Sequence, residues 1–321
     1  MMLEPTDPAL WQGREDIEDG TAGYRWHQKV QFTAPIDSGV ALLGLASDLG
    51  VTRNKGRAGA SQGPAALRRA MANQAWHAAK PLFDAGSVTV DTHLAAGQQV
   101  YADEVNRLLK QGHFVLGLGG GHEIGWASYQ GVRQWVDSAS AAGAPNTIGI
   151  VNFDAHFDLR QPAPDTSSGT PFRQVAEHCQ QIEQPFNYAC IGIAETSNTR
   201  ALFDVATAHQ VVYTTDLNST NETIQPLLRN FLNDVDYLYV TICLDVLPAA
   251  IAPGVSAPAA FGIAPHVIVD TLHWLAEQCQ QTGTRWVMAD IAELSPPFDI
   301  DHRTAKLAAR LAFEIVQCIA K

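Results

Sequence analysis

At 321 residues, 46% hydrophobic and 17% charged, the chain has enough apolar material for one large α/β domain or two ordinary ones. A formal net charge of −12 argues against nucleic acid or an anionic membrane as a partner, and makes an anionic ligand dependent on a local cluster of Arg or Lys. Five cysteines without paired spacing, no apolar run near the ~18 residues of a membrane span, and an acidic N-terminus unlike a signal peptide predict a cytoplasmic protein with reduced thiols.

Residues 1–38 are weakly periodic and predict an irregular arm, and residues 39–321 predict a single domain. From residue 40 onward, short apolar runs alternate with amphipathic segments. Strands are predicted at 40–46, 87–90, 113–119, 147–153, 188–194, 211–215, 237–245 and 284–291. Helical patterns occupy 64–76, 98–111, 221–233, 266–281 and 303–319. Several strands are apolar at consecutive positions, as parallel strands covered on both faces require. Strands alternating with helices predict an α/β domain with a mostly parallel sheet.

Such sheets bind ligands outside the carboxyl ends of their strands. Four polar clusters fall where apolar runs stop: Leu118–Glu123, Asp154–Asp158, Cys243–Asp245 and Asp290–Glu293. In VNFDAHFDLR (151–160), an extended strand would spread Asp154, His156 and Asp158 over about 13 Å. A helix would turn His156 away from the other two. Only a curl past the strand end brings all three together. The set His122, Asp154, His156, Asp158 and Asp245 offers imidazole nitrogen and carboxylate oxygen, which suit Mn²⁺, Fe²⁺, Co²⁺ or Zn²⁺. Five ligands exceed the need of one ion with an open position but suit two ions sharing a carboxylate, and Asp154 is best placed to be shared. The alternative is that Asp154 and Asp158 cap a helix and His156 is an ordinary histidine; the other motifs at the same rim favour metal.

GGGHE (119–123), DAHFD (154–158) and TICLDVLPAAIAPGVSAP (241–258) resemble, in order, the three signature motifs of the arginase/agmatinase (ureohydrolase) family, and RNKGRAGASQGPAALR (53–68) resembles its N-terminal loop and helix. The resemblance implies a three-layer αβα sandwich with about eight strands and two Mn²⁺ per subunit. His122 and Asp158 would hold one ion, His156 and Asp245 the other, and Asp154 would bridge them. The family's third motif has a bridging Asp where this chain has Cys243. Either the thiolate ligates, as a softer donor than Mn²⁺ prefers, so that the identity of the second ion is open, or Cys243 is a strand residue outside the ligand set.

Within the family, SSGTPFRQ (167–174), WQGRED (11–16) and RWHQ (25–28) are similar to the branch that cleaves N-formimino-L-glutamate to L-glutamate and formamide, in histidine degradation. The reaction then expected is attack on the formimino carbon by a hydroxide held between the ions, with Asp158 also shuttling a proton. Glu293 would orient the amidinium group. Arg160, with Ser168, would read the substrate's carboxylates, since guanidinium binds carboxylate bidentately; Arg53, Arg57 and Arg173 are weaker candidates. A histidine that assists proton transfer in arginases corresponds here to Phe172. Rival readings are an agmatinase, guanidinobutyrase or arginase type of hydrolase, or a non-catalytic binding protein on the same fold. Ureohydrolases commonly form trimers or hexamers, so a homo-oligomer is possible.

Overall fold

Apolar runs with both faces covered form the parallel core of a nine-stranded sheet. The computed structural model describes residues 2–35, 37–139 and 146–319. The outer bounds of the expected arm and domain, residues 1 and 321, lie outside the described residues. The strands are β1 (Leu3–Glu4), β2 (Val40–Ser47), β3 (Leu82–Val90), β4 (Phe114–Gly119), β5 (Ile148–Phe153), β6 (Asn187–Ile193), β7 (Val212–Thr215), β8 (Tyr237–Cys243) and β9 (Arg285–Ala292). Their order is β1-β3-β2-β4-β9-β8-β5-β6-β7. Every pairing is parallel except that of the two-residue edge strand β1 with β3.

The helices are α1 (Trp26–Lys29), α2 (Leu49–Arg53), α3 (Gly63–Ala72), α4 (Leu94–Lys110), α5 (Ile124–Ala139), α6 (Pro171–Gln181), α7 (Arg200–Ala208), α8 (Asn221–Leu232), α9 (Pro265–Thr282) and α10 (Arg303–Ile319). Strand side chains alternate between two cores. Leu42, Leu116, Val151 and Val240 pack with α3, α8, α9 and α10. Their neighbours Leu43, Val115, Ile150 and Tyr239 pack with α4, α5, α6 and α7. Alternation with both sides apolar is what produces three layers. No helix among the described residues is long and apolar enough to cross a membrane.

Two departures from the predicted elements have physical causes. Strand β3 begins at Leu82 rather than 87, because Asp84, which interrupts the apolar run, is paired inside the protein. Arg68 Nε and Nη2 each donate to its carboxylate at 2.7 Å, and Trp11 Nε1 donates at 2.8 Å. This pairing also ties the N-terminal segment to the sheet, where Trp26 is fully buried. Helix α5, which the sequence marks only by a helical pattern around Trp126, is buried around most of its circumference, with Gly125, Ser128 and Gly131 among its buried residues. Its less buried side is a narrow stripe through Trp126, Gln130, Gln134 and Asp137.

Candidate functional site

Strands β4, β9, β8 and β5 are consecutive in the sheet and parallel, so their carboxyl ends share one rim. His122 follows β4 by three residues, Asp154 and Glu293 each follow their strands directly, Cys243 is the last residue of β8, and Asp245 lies two further on. All four clusters expected at a common rim are there, except that Asp290 sits inside β9, one layer below.

The curl after β5 is held by groups that sequence alone did not single out. Asp154 Oδ1 accepts from the backbone N–H of His156 at 2.8 Å, a turn that an aspartate can make with its own chain. Asn198 accepts from Phe157 N–H at 3.1 Å and donates to the carbonyls of Ala155 and Ala194 at 2.8 and 2.9 Å. Phe157 and Leu159 turn into the core, while His156, Asp158 and Arg160 face a cavity of about 280 Å³. Asp158 takes φ = 52° and Glu293 φ = 70°, left-handed conformations costly for residues with a Cβ. Strain of this kind persists where the surroundings over-determine it, and functional sites are its usual home.

Two groups of ligand-type atoms form, each with its members within 4.8 Å of one another: His122, Asp154 and Cys243, and Asp154, His156 and Asp245. Asp154 belongs to both. His122 Nδ1 lies 2.9 Å from Asp154 Oδ2 and 2.9 Å from Asp158 Oδ2, yet this buried nitrogen makes no hydrogen bond. His156 Nδ1 lies 3.1 Å from Asp245 Oδ2, and Asp245 Oδ1 is buried without a partner. Converging buried donors of this O/N kind, two of them left without a hydrogen bond, fit a divalent ion.

A buried relay orients His122. Its Nε2 lies 2.9 Å from Thr241 Oγ1, whose own proton goes to Asp290 Oδ1 at 2.5 Å. Asp290 also accepts from Ser128 at 2.6 Å and from Tyr239 at 2.5 Å. With the Thr241 hydrogen committed, the imidazole donates from Nε2, and Nδ1 is the ring atom that faces Asp154 and Asp158. Such outer partners fix the tautomer of ligating histidines. Thr241 opens the third motif and Asp290 opens the last rim cluster, but the spacing of neither, nor of Tyr239, tells that they meet behind His122.

The electrostatics reflect crowded carboxylates. Burial, with the charge of Asp154 added, pushes Asp158 up to about 6, despite His122 beside it. Burial opposes protonation of His122 and His156, but the carboxylates outweigh it and raise both imidazoles well above the usual range. Burial also raises the Cys243 thiol, followed by repulsion from Asp154, Asp245 and Glu293, so the thiol keeps its proton unless a metal displaces it. Burial, then Asp245 and Glu123, raises Glu293, whose Oε1 accepts from the His122 N–H at 2.9 Å.

Arg160 and Ser168 line the cavity, with Ser168 Oγ accepting from Asn54 at 3.3 Å. Arg57 lines it too, but its guanidinium is committed to the carbonyls of Val255 and Ser256. Arg53 and Arg173 lie in the neighbouring cavity instead. Phe172 does not reach the cavity. It is fully buried, stacked on Tyr188 at 4.5 Å, with its ring edge-on to His122 at 5.4 Å. It packs behind His122, away from the cavity.

The central strands of the parallel sheet deliver two overlapping groups of candidate metal ligands, sharing Asp154, to one rim. The chain belongs to the arginase family, whose model matches residues 38–318. It is 46% identical to a formimidoylglutamase of Aeromonas hydrophila, covering 98% of this chain and 99% of that one. A formimidoylglutamase of Hahella chejuensis is 45% identical, over 98% and 97% of the two chains. The fold is also that of Bacillus subtilis formimidoylglutamase (TM-score 0.79, 21% identity, 92% of each chain). Trypanosoma cruzi formiminoglutamase with Mn²⁺ shares it as well (TM-score 0.76, 24% identity, 89% and 94% of the chains).

Proposed function

We propose that this chain hydrolyses N-formimino-L-glutamate to L-glutamate and formamide, in the cytoplasm, with two divalent ions of which Mn²⁺ is the first choice. The observation that carries the hydrolytic chemistry is the sharing of Asp154 between two ligand clusters. Near-full-length likeness to formimidoylglutamases supports the substrate. His122 and Asp158 would hold one ion, His156 and Asp245 the other, with Asp154 between them and the Cys243 thiol beside His122 and Asp154. When bound, such ions supply Lewis acidity and make water nucleophilic near neutral pH.

The chain's own residues do the rest. Glu293, its Oε1 anchored on the His122 N–H, offers a carboxylate to the cationic formimino group and holds it in one orientation. The guanidinium of Arg160 binds a substrate carboxylate, and Ser168 Oγ adds a hydroxyl beside it. Asp158, behind the rim and 8% exposed, carries a proton on its carboxylate to the departing glutamate nitrogen. Burial of Glu293, Asp158 and Ser168 limits competition from bulk water for these groups.

The test is a substrate panel on the Mn²⁺-loaded protein: N-formimino-L-glutamate, agmatine, 4-guanidinobutyrate and L-arginine, with formamide and urea both measured. Formamide from the first and no urea from the others is expected. Urea from any guanidine at a higher kcat/KM overturns the substrate assignment, and no product from any of them favours a binding protein.

A further inference from the structure

The cavity over the ligand cluster opens beside a second one of about 610 Å³, and Asn54, Lys55 and Arg160 line both. Five basic residues surround the pair, and three are already committed. Arg53 Nη1 donates to the Thr166 carbonyl at 3.1 Å. Arg57 donates to the Val255 and Ser256 carbonyls at 2.6 and 3.0 Å and lies 3.9 Å over the Phe298 ring. Arg173 pairs with Glu177 at 2.7 Å. Among the described residues, the side chains of Lys55 and Arg160 hold no hydrogen bond or ion pair, and both are exposed.

Lys55 is fixed in place rather than trailing from a loose loop. Its N–H donates to Thr52 O at 3.0 Å, and the next two residues donate to Val51 O at 2.8 Å and Ser256 Oγ at 2.8 Å. Its backbone is left-handed, with φ = 63°, a conformation that disfavours a residue with a Cβ. A lysine with no side-chain partner among the described residues, at the junction of two cavities, points to a ligand for its ammonium group.

We infer that Lys55 is a specificity residue: it binds one carboxylate of the substrate while Arg160 binds the other, so that the pair selects dicarboxylate amidines. This rests on N-formimino-L-glutamate being the substrate. A molecule with two carboxylates approaching a chain of net charge −12 needs local cations to enter at all. One guanidinium satisfies one carboxylate bidentately, and the second is left for a point charge, which an ammonium group supplies.

The experiment is steady-state kinetics on Mn²⁺-loaded wild type, Lys55→Met, Lys55→Arg and Arg160→Met. Three substrates are used: N-formimino-L-glutamate, N-formiminoglycine (only the α-carboxylate) and N-formimino-4-aminobutyrate (only the distal one). Lys55→Met is expected to raise KM for N-formimino-L-glutamate about tenfold or more, the scale of a charge-assisted contact, with kcat changed far less. Lys55→Arg recovers most of the loss. On the two monocarboxylates, Lys55→Met and Arg160→Met show opposite patterns, each sparing the substrate that lacks the carboxylate it reads. Unchanged KM in Lys55→Met, or the same loss on both monocarboxylates, overturns the inference. If wild type does not turn over N-formimino-L-glutamate, the functional reading falls and takes this one with it; turnover with an unchanged Lys55→Met KM removes this one alone.

Discussion

Replacing Thr241 with valine isolates the relay behind His122. The two side chains have nearly the same volume, so no cavity opens. What disappears is the acceptor for the His122 Nε2–H at 2.9 Å and the donor to Asp290 Oδ1 at 2.5 Å. Both groups left behind are buried, His122 at 1% exposure and Asp290 at 0%. Each unmet buried polar group costs about 1–3 kcal/mol, and Asp290 keeps its contacts from Ser128 and Tyr239 on the other oxygen. The imidazole is also free to move its proton to Nδ1, the atom that faces Asp154 and Asp158. Loss of an outer partner of this kind weakens metal binding about 10–100-fold. Titration calorimetry with Mn²⁺ on chelator-stripped protein reads the affinity, and a melt of the stripped protein reads the folding cost separately. Thr241→Ser, which keeps the hydroxyl, restores affinity. Wild-type Mn²⁺ affinity in Thr241→Val would refute the idea that the relay sets the tautomer of His122.

Three further outcomes follow from the same geometry. Cys243→Asp keeps Mn²⁺ affinity at or above wild type, because oxygen is the harder donor; losing both metal and activity would show that the thiol does something a carboxylate cannot. Glu293→Gln retains an acceptor for the His122 N–H but loses the charge, so kcat/KM for the formimino substrate falls about 10–100-fold, the value of a charged hydrogen bond. Unchanged kinetics would remove Glu293 from the site. Asp48 is held below the usual carboxylate range, since the Ser61 hydroxyl and the N–H groups of Gly59, Ser61 and Ala60 outweigh the opposing effect of burial. A depressed folded pKa adds stability above the unfolded value, near 4, that is lost as pH falls through the folded value. Chemical denaturation from pH 6 to pH 2 should therefore show a smaller acid-dependent loss in Asp48→Asn than in wild type, and equal slopes would contradict the assignment.

The parallel strands were legible because burial on both faces leaves consecutive apolar residues, a local signal. The candidate ligand positions were legible for the same reason: His122, Asp154, His156, Asp158 and Asp245 fall where those runs stop. What supports them was not, because it crosses the chain. Thr241 and Asp290 meet His122 across separations of 119 and 49 residues along the relay. Asn198 clasps the curl from 41 residues away. Glu123, in the same motif as His122, is fully buried and accepts from Gly50 N–H, a contact no spacing announces. Lys55 was overlooked among nearby arginines because only the structure reveals which cations are already occupied. Asp84 misled the reading of β3, since a charge in an apolar run signals an end unless its partner, here Arg68, is known.

The strand order has a consequence for how the chain is made. Strands β4 and β5, which deliver His122 and Asp154, are not neighbours; β9 and β8 lie between them. During synthesis β4 and β5 leave the ribosome long before β8 and β9, so each waits with an unpaired edge, a hazard for association with other chains. Until the last two strands insert, the two halves of the ligand set have no common floor. Any ion taken up there would meet its full set of donors only after the C-terminal third of the chain has completed the sheet.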